Sequence, residues 1–91
     1  MEDLVVDNAG KRRFELTEQG LVAFATYRLD QGRVVIPHVE TPPALRGHGV
    51  AGRLMTGLLE IIRERGQKVV PLCPYAVAFL ERHPEYQDLM T

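Results

Sequence analysis

An α/β fold is predicted for this sequence: an antiparallel four-stranded meander, then a β-α-β crossover, then a short C-terminal helix. Three observations carry the prediction. Four β-rich runs stand at short spacing and are separated by clusters of turn residues. After Pro42 and Pro43 the apolar spacing changes from that of strands to that of a helix. A glycine-rich loop, "RGHGVAG" from Arg46 to Gly52, opens that helix.

The elements follow in order. "LVV", Leu4–Val6, reads as a short first strand, and Asp7-Asn8-Ala9-Gly10 as the turn after it. "RRFEL" alternates, with Phe14 and Leu16 on one face, and is a half-buried strand. Glu18-Gln19-Gly20 turns the chain into "LVAFATYRL", Leu21–Leu29, a largely apolar central strand. Asp30-Gln31-Gly32 is the third turn, and "RVVIPHVET" the fourth strand. From Val50 to Arg65 the apolar side chains fall at helical spacing: Val50, Ala51, Leu54, Met55, Leu58, Ile61 and Ile62. Arg63 and Arg65 suit the negative end of that helix, and Gly66 suits the position just past it. "KVVPLC" is a fifth strand ended by Pro74, and "YAVAFLERH" a second helix stopped before Pro84. The tail, "PEYQDLMT", reads as irregular. The connection between strands four and five has crossover length, which predicts that they run parallel.

Composition narrows the class. Ninety-one residues with 45% hydrophobic content suit one globular domain spanning 1–91. A net charge of −1 argues against a nucleic-acid partner, and Lys11, Arg12 and Arg13 read as a solvated turn. Cys73 is the one cysteine, so no internal disulfide forms and a reducing, cytoplasmic location is expected. No apolar run approaches the ~20 residues that span a bilayer, and no basic start precedes an apolar stretch as in a signal peptide. Soluble behaviour as a monomer or weak homodimer is the expectation.

The glycine loop raises the question of a bound anion. Gly47, Gly49 and Gly52 form a literal G-x-G-x-x-G. A dinucleotide fingerprint would place the first glycine directly after a parallel strand and an acidic residue about 20 positions on. Here "TPPAL" intervenes, and the next strand ends in Cys73. A Walker A loop would need Lys-Ser or Lys-Thr after the glycines, and none follows. The remaining readings are a tight turn or an anion nest at a helix start. The histidines and the cysteine, at 38, 48, 73 and 83, match no common zinc spacing, so no metal is expected.

"TPPALRGHGVA" resembles the coenzyme A loop of the GCN5-related N-acetyltransferases, [QR]-x-x-G-x-[GA], with Arg46, Gly49 and Ala51 in register. Downstream, "CPYAVAFL" is similar to the family's N-x-x-A-x-x-x-Y, with Cys73, Ala76 and Leu80 at its three positions. "IPHVETPPALRGHGVAGRL" with "VVPLCPYAVAFLERHPEY" looks like the small acetyltransferase-like subfamily, which lacks the helices between the first two strands of larger members. The resemblance implies acetyl-CoA as substrate and an unidentified amine as acceptor. It implies cofactor contacts from Thr41, Arg46, Gly47, His48, Gly49, Val50, Ala51, Cys73, Tyr75 and Phe79. Two residues are candidates for the chemistry. His38 shares a strand face with Glu40, and an imidazole suits a general base. Cys73, beside the expected thioester, suits an acetyl carrier, with His38 on the neighbouring strand to activate it. The alternatives are a hydrogen-bonded strand histidine and a small buried thiol. Leu80 stands where the family's proton-donating Tyr is common. That departure, with the missing helices, keeps a second reading open: a coenzyme A-binding sensor or interaction module without turnover.

Overall fold

The computed structural model describes residues 4–90. Five strands form one sheet in chain order: β1 (Val6–Asn8), β2 (Arg13–Glu18), β3 (Leu21–Asp30), β4 (Arg33–Glu40) and β5 (Lys68–Pro71). The first four pair antiparallel, and β4 and β5 pair parallel. Helix α1 (Val50–Glu64) makes the crossover, and α2 (Pro74–Arg82) follows β5. The meander and crossover are therefore as expected.

Alternation explains the layering. Phe14 and Leu16 of β2, and Ala23, Ala25 and Tyr27 of β3, are buried on one sheet face. They meet α1, whose Leu54, Met55, Leu58 and Ile62 are fully buried. Leu59, absent from the expected helical stripe, is also fully buried. Both helices and the tail share this core. Two-residue hairpins at Gln19-Gly20 and Gln31-Gly32 have positive φ at both residues, the primed geometry that matches strand twist.

Most element ends differ from the sequence reading by one or two residues, and three differences bear on the packing. The first strand is Val6–Asn8, not Leu4–Val6, and the turn becomes a short 3-10 helix over Ala9–Lys11. Asp7 stays in the strand because its carboxylate accepts from the Tyr27 hydroxyl (2.6 Å) and from Arg65 (2.8 Å). The fifth strand stops at Pro71, two residues early. The tail is not irregular: Pro84–Leu89 is a 3-10 helix, and Met90 bridges Val69 in parallel. Tyr86 and Leu89 anchor it by burial, and the Tyr86 hydroxyl donates to Glu60 of α1 at 2.7 Å.

Val5 is the buried member of "LVV". It packs so closely on α1 that a Cβ added at Gly57 would stand 2.7 Å from the Val5 Cβ. Gly57→Ala is therefore expected to destabilise the fold by about 1–3 kcal/mol through overpacking, exceeding the ~1 kcal/mol that alanine gains in helix propensity. Urea denaturation checks this, and adding Val5→Ala should recover most of the loss. A more stable Gly57→Ala protein would mean that Val5 yields at no cost.

Candidate functional site

The strand β4 is irregular at its centre. Thr26 pairs with His38, and Arg28 pairs with Val35, so Ile36 and Pro37 together oppose Tyr27. This is a β-bulge, and Pro37 supplies no ladder donor. The parallel pairing with β5 ends at the same place, at Ile36↔Pro71. Beyond it the amides of Leu72 and Cys73 both donate to the Ile36 carbonyl, at 3.0 and 3.1 Å. Past this point β4 and β5 are no longer paired.

The bulge reverses the alternation along β4. Ile36 is buried in the core, yet His38, two residues on, faces the other way. His38 and Glu40 stand opposite Thr26 and Phe24. The His38 ring meets the Phe24 ring edge-on at 6.2 Å, and its Nε2 lies 2.9 Å from Glu40 Oε1. Phe24 in turn lies under the Arg13 guanidinium, 4.4 Å from the ring centre, and Arg13 is paired with Glu15. The Arg13 guanidinium holds the Glu15 carboxyl below the ordinary range. This polar cluster occupies the sheet face opposite the helices.

Cys73 lies on the helical side. It is 7% exposed, belongs to the hydrophobic core and caps α2. The expected contact between Cys73 and His38 is therefore not formed: the bulge sends the histidine across the sheet, where Glu40 takes the ring nitrogen. Both residues still flank the end of the β4–β5 ladder, through Ile36 and Pro37 on one strand and Leu72 on the other.

On the helical side a cavity of about 220 Å³ opens at the start of α1. Thr41, Arg46, Gly47, Gly49, Val50, Ala51 and Tyr75, all residues expected near the cofactor, line it, and Leu45 and Gly52 complete the wall. Gly52 carried a signal as the third loop glycine, and Leu45 carried none beyond its apolar side chain. Gly47 and Gly49 have φ of 84° and 74°, left-handed values that a β-carbon disfavours. Gly49 is the N-cap of α1, and no side chain caps the helix. The Arg53 amide, bonded to the Gly49 carbonyl at 3.1 Å, is the first to join the helical ladder. The preceding amides, Gly49 to Gly52, are the four that a helix start leaves without an intrahelical acceptor. They coincide with the positive end of the macrodipole. The site can hold an anion.

The other expected cofactor residues contribute differently. The His48 amide donates to the Leu45 carbonyl at 3.2 Å, so it is spent on the loop rather than added to the nest. The His48 side chain is exposed and outside the cavity wall. Arg46 Nε donates to the Thr41 carbonyl at 3.3 Å and braces the loop across the cavity mouth. Phe79 is buried behind Tyr75, with ring centres 6.4 Å apart, and stacks on His83 at 3.8 Å. It supports the wall without forming it. The Tyr75 hydroxyl would stand 3.9 Å from a Cβ on Gly52, and burial raises its pKa. Leu80 is fully buried in the core.

Comparison with known proteins adds to this geometry. A family model described as GCN5-related N-acetyl-transferase matches residues 13–89. The solution structure of a GCN5-like protein from Staphylococcus aureus, described as a candidate N-acetyltransferase, is similar over 97% of this chain and 87% of that one. Its TM-score is 0.74 at 28% sequence identity.

Proposed function

The chain belongs to the GCN5-related N-acetyltransferase family, and on that premise we propose that it binds acetyl-CoA and transfers the acetyl group to a primary amine. The observation that carries the reading is the uncapped start of α1. Four consecutive amides, a helix dipole and the braced Arg46 surround a cavity with no acidic residue in the helix's first turn. Such a site suits the diphosphate of coenzyme A. Thr41, Gly47, Val50, Ala51 and Tyr75 are its proposed contacts, with Phe79 behind them.

Chemistry would occur where β4 and β5 part. His38 is the proposed general base, and Cys73 the proposed acetyl carrier of a two-step variant. The separation of the two side chains across the sheet favours direct attack by the amine with His38 as base. Leu80 cannot protonate the departing thiolate, so that proton would come from solvent. Burial of Leu80 also supports the second reading, a coenzyme A-binding module without turnover.

Calorimetric titration with acetyl-CoA, with NADH as control, tests binding. Transfer of labelled acetyl to lysine-containing peptides tests turnover. His38→Ala is expected to lower turnover by about 10²-fold or more with acetyl-CoA affinity unchanged. Cys73→Ala should leave most of the activity if attack is direct, and should abolish it if the thiol carries the acetyl group. Saturable binding without transfer would select the binding module. No binding of acetyl-CoA would overturn both.

A further inference from the structure

The polar cluster on the open sheet face has a feature that the reading above does not use. His38 is held on three sides. Thr26 Oγ1 donates to the His38 carbonyl at 3.4 Å, the Phe24 ring packs against the imidazole, and Glu40 lies 2.9 Å from Nε2. A carboxylate accepts hydrogen bonds and does not donate them. In the neutral ring Nε2 therefore carries the proton in this arrangement. Nδ1 has no hydrogen-bond partner among the described residues. The remaining charges near the cluster, Arg13 and Glu15 of β2, satisfy one another.

We propose that Glu40 is a positioning residue that holds His38 in the Nε2–H tautomer, leaving the Nδ1 lone pair to receive the proton of an acceptor amine on the open sheet face. The proposal rests on the acetyl-transfer reading. The acceptor ammonium gives one proton to Nδ1. Its nitrogen lone pair then attacks the thioester carbonyl carbon, the C–N bond forms and the C–S bond breaks. The electron pair leaves on the coenzyme A sulfur, and the second proton lost by nitrogen reaches that sulfur through water. A ring with its proton on Nδ1 and its lone pair tied towards Glu40 could not perform the first step. Which nitrogen is free is decided by the bond the other one makes. Glu40 can make that bond because it stands two residues on along the same strand, and the bulge at Ile36–Pro37 turns the face they share to the open side.

The test combines a spectroscopic and a kinetic measurement. Imidazole ¹⁵N chemical shifts of the free protein, followed across pH, report the tautomer of the neutral ring. The wild type is expected to show Nε2–H at His38. Glu40→Gln, which keeps a carbonyl acceptor, should retain it, and Glu40→Ala should give mixed tautomers. In the transfer assay Glu40→Ala is expected to lower kcat on the order of ten- to a hundredfold, part of a full general-base contribution. The KM for acetyl-CoA should not change, because the cavity lies on the other side of the sheet. Glu40→Gln should recover most of the rate. A wild-type ring protonated on Nδ1, or a tautomer indifferent to Glu40→Ala, overturns the proposal whatever the activity. A tautomer shift with unchanged kcat overturns the catalytic role alone. A wild type that shows the expected tautomer and transfers no acetyl group overturns the acetyl-transfer reading, and the proposed role falls with it.

Discussion

Replacing Ala51 with glutamate is expected to weaken acetyl-CoA binding by at least about a hundredfold, or ~2.7 kcal/mol, while leaving the protein folded. Ala51 is the second residue of α1 and lines the cavity. A carboxylate there would accept from the same amides that the diphosphate needs, and would repel it as well. The same carboxylate is favourable for the helix. Negative charge in a first turn stabilises by about 0.3–1 kcal/mol, and α1 has no acidic residue there to begin with. Binding and stability should therefore move in opposite directions, which an unfolded or misfolded variant cannot imitate. Calorimetric titration with acetyl-CoA and urea denaturation of the same preparation read the two quantities. Unchanged affinity in a stable Ala51→Glu protein would mean that the anion binds away from α1.

Alkaline pH is expected to remove several kcal/mol of stability through two buried tyrosines. Burial is the larger cause, and a hydrogen bond to a carboxylate the next, that pushes Tyr27 up to about 12 from 10.0. Tyr86 is pushed up to about 12 from 10.0 for the same reasons, its partner being Glu60 rather than Asp7. Both rings are under 9% exposed, so screening by water is slight. The neutral phenol is the form that the fold favours. The stabilisation is thus complete below pH 10 and is lost as pH rises from 10 to about 12, where the unfolded chain has already released both protons. Two pH units correspond to about 2.7 kcal/mol per tyrosine, or roughly 5 kcal/mol for the pair. That is a large share of the 5–15 kcal/mol typical of a small domain. Urea denaturation from neutral pH to 12 checks it. The Tyr27→Phe, Tyr86→Phe double variant should be weaker at neutral pH and show a flatter alkaline limb. An equally steep limb in that variant would assign the loss to other groups.

The two tyrosines also mark what the sequence left unread. Tyr86 falls in a tail with no periodic pattern, and its anchor is Glu60 on α1, 26 residues earlier. Arg63 on the same helix holds Asp88 at 2.9 Å. Neither partner is legible from local spacing. The "LVV" run illustrates the same limit. Its residues are equally apolar, yet Val5 packs at the Gly57 notch while Leu4 and Val6 are exposed.

The candidate site divides along the same line. The loop Arg46–Gly52 was legible because its glycines and the helix start that follows are written in consecutive residues. Seven of the residues expected at the cofactor line the cavity. The fate of His48 was not legible, since the Leu45 carbonyl claims its amide only once the loop has closed. The relation between His38 and Cys73 was hidden too. Strict alternation from Ile36 would put His38 on the core side, and the bulge reverses it.

By itself the sequence determined the meander, the turns between its strands, the amphipathic crossover helix and the glycine loop that opens it. Each depends on the period of apolar residues or on the turn chemistry of neighbours, and short-range sterics suffice to specify it. The tertiary structure alone decided the bulge in β4, the end of its pairing with β5, the docking of the tail and the face on which His38 meets Glu40. Those depend on contacts between residues far apart in the chain, where packing against a shared core chooses among arrangements that local pattern leaves equivalent.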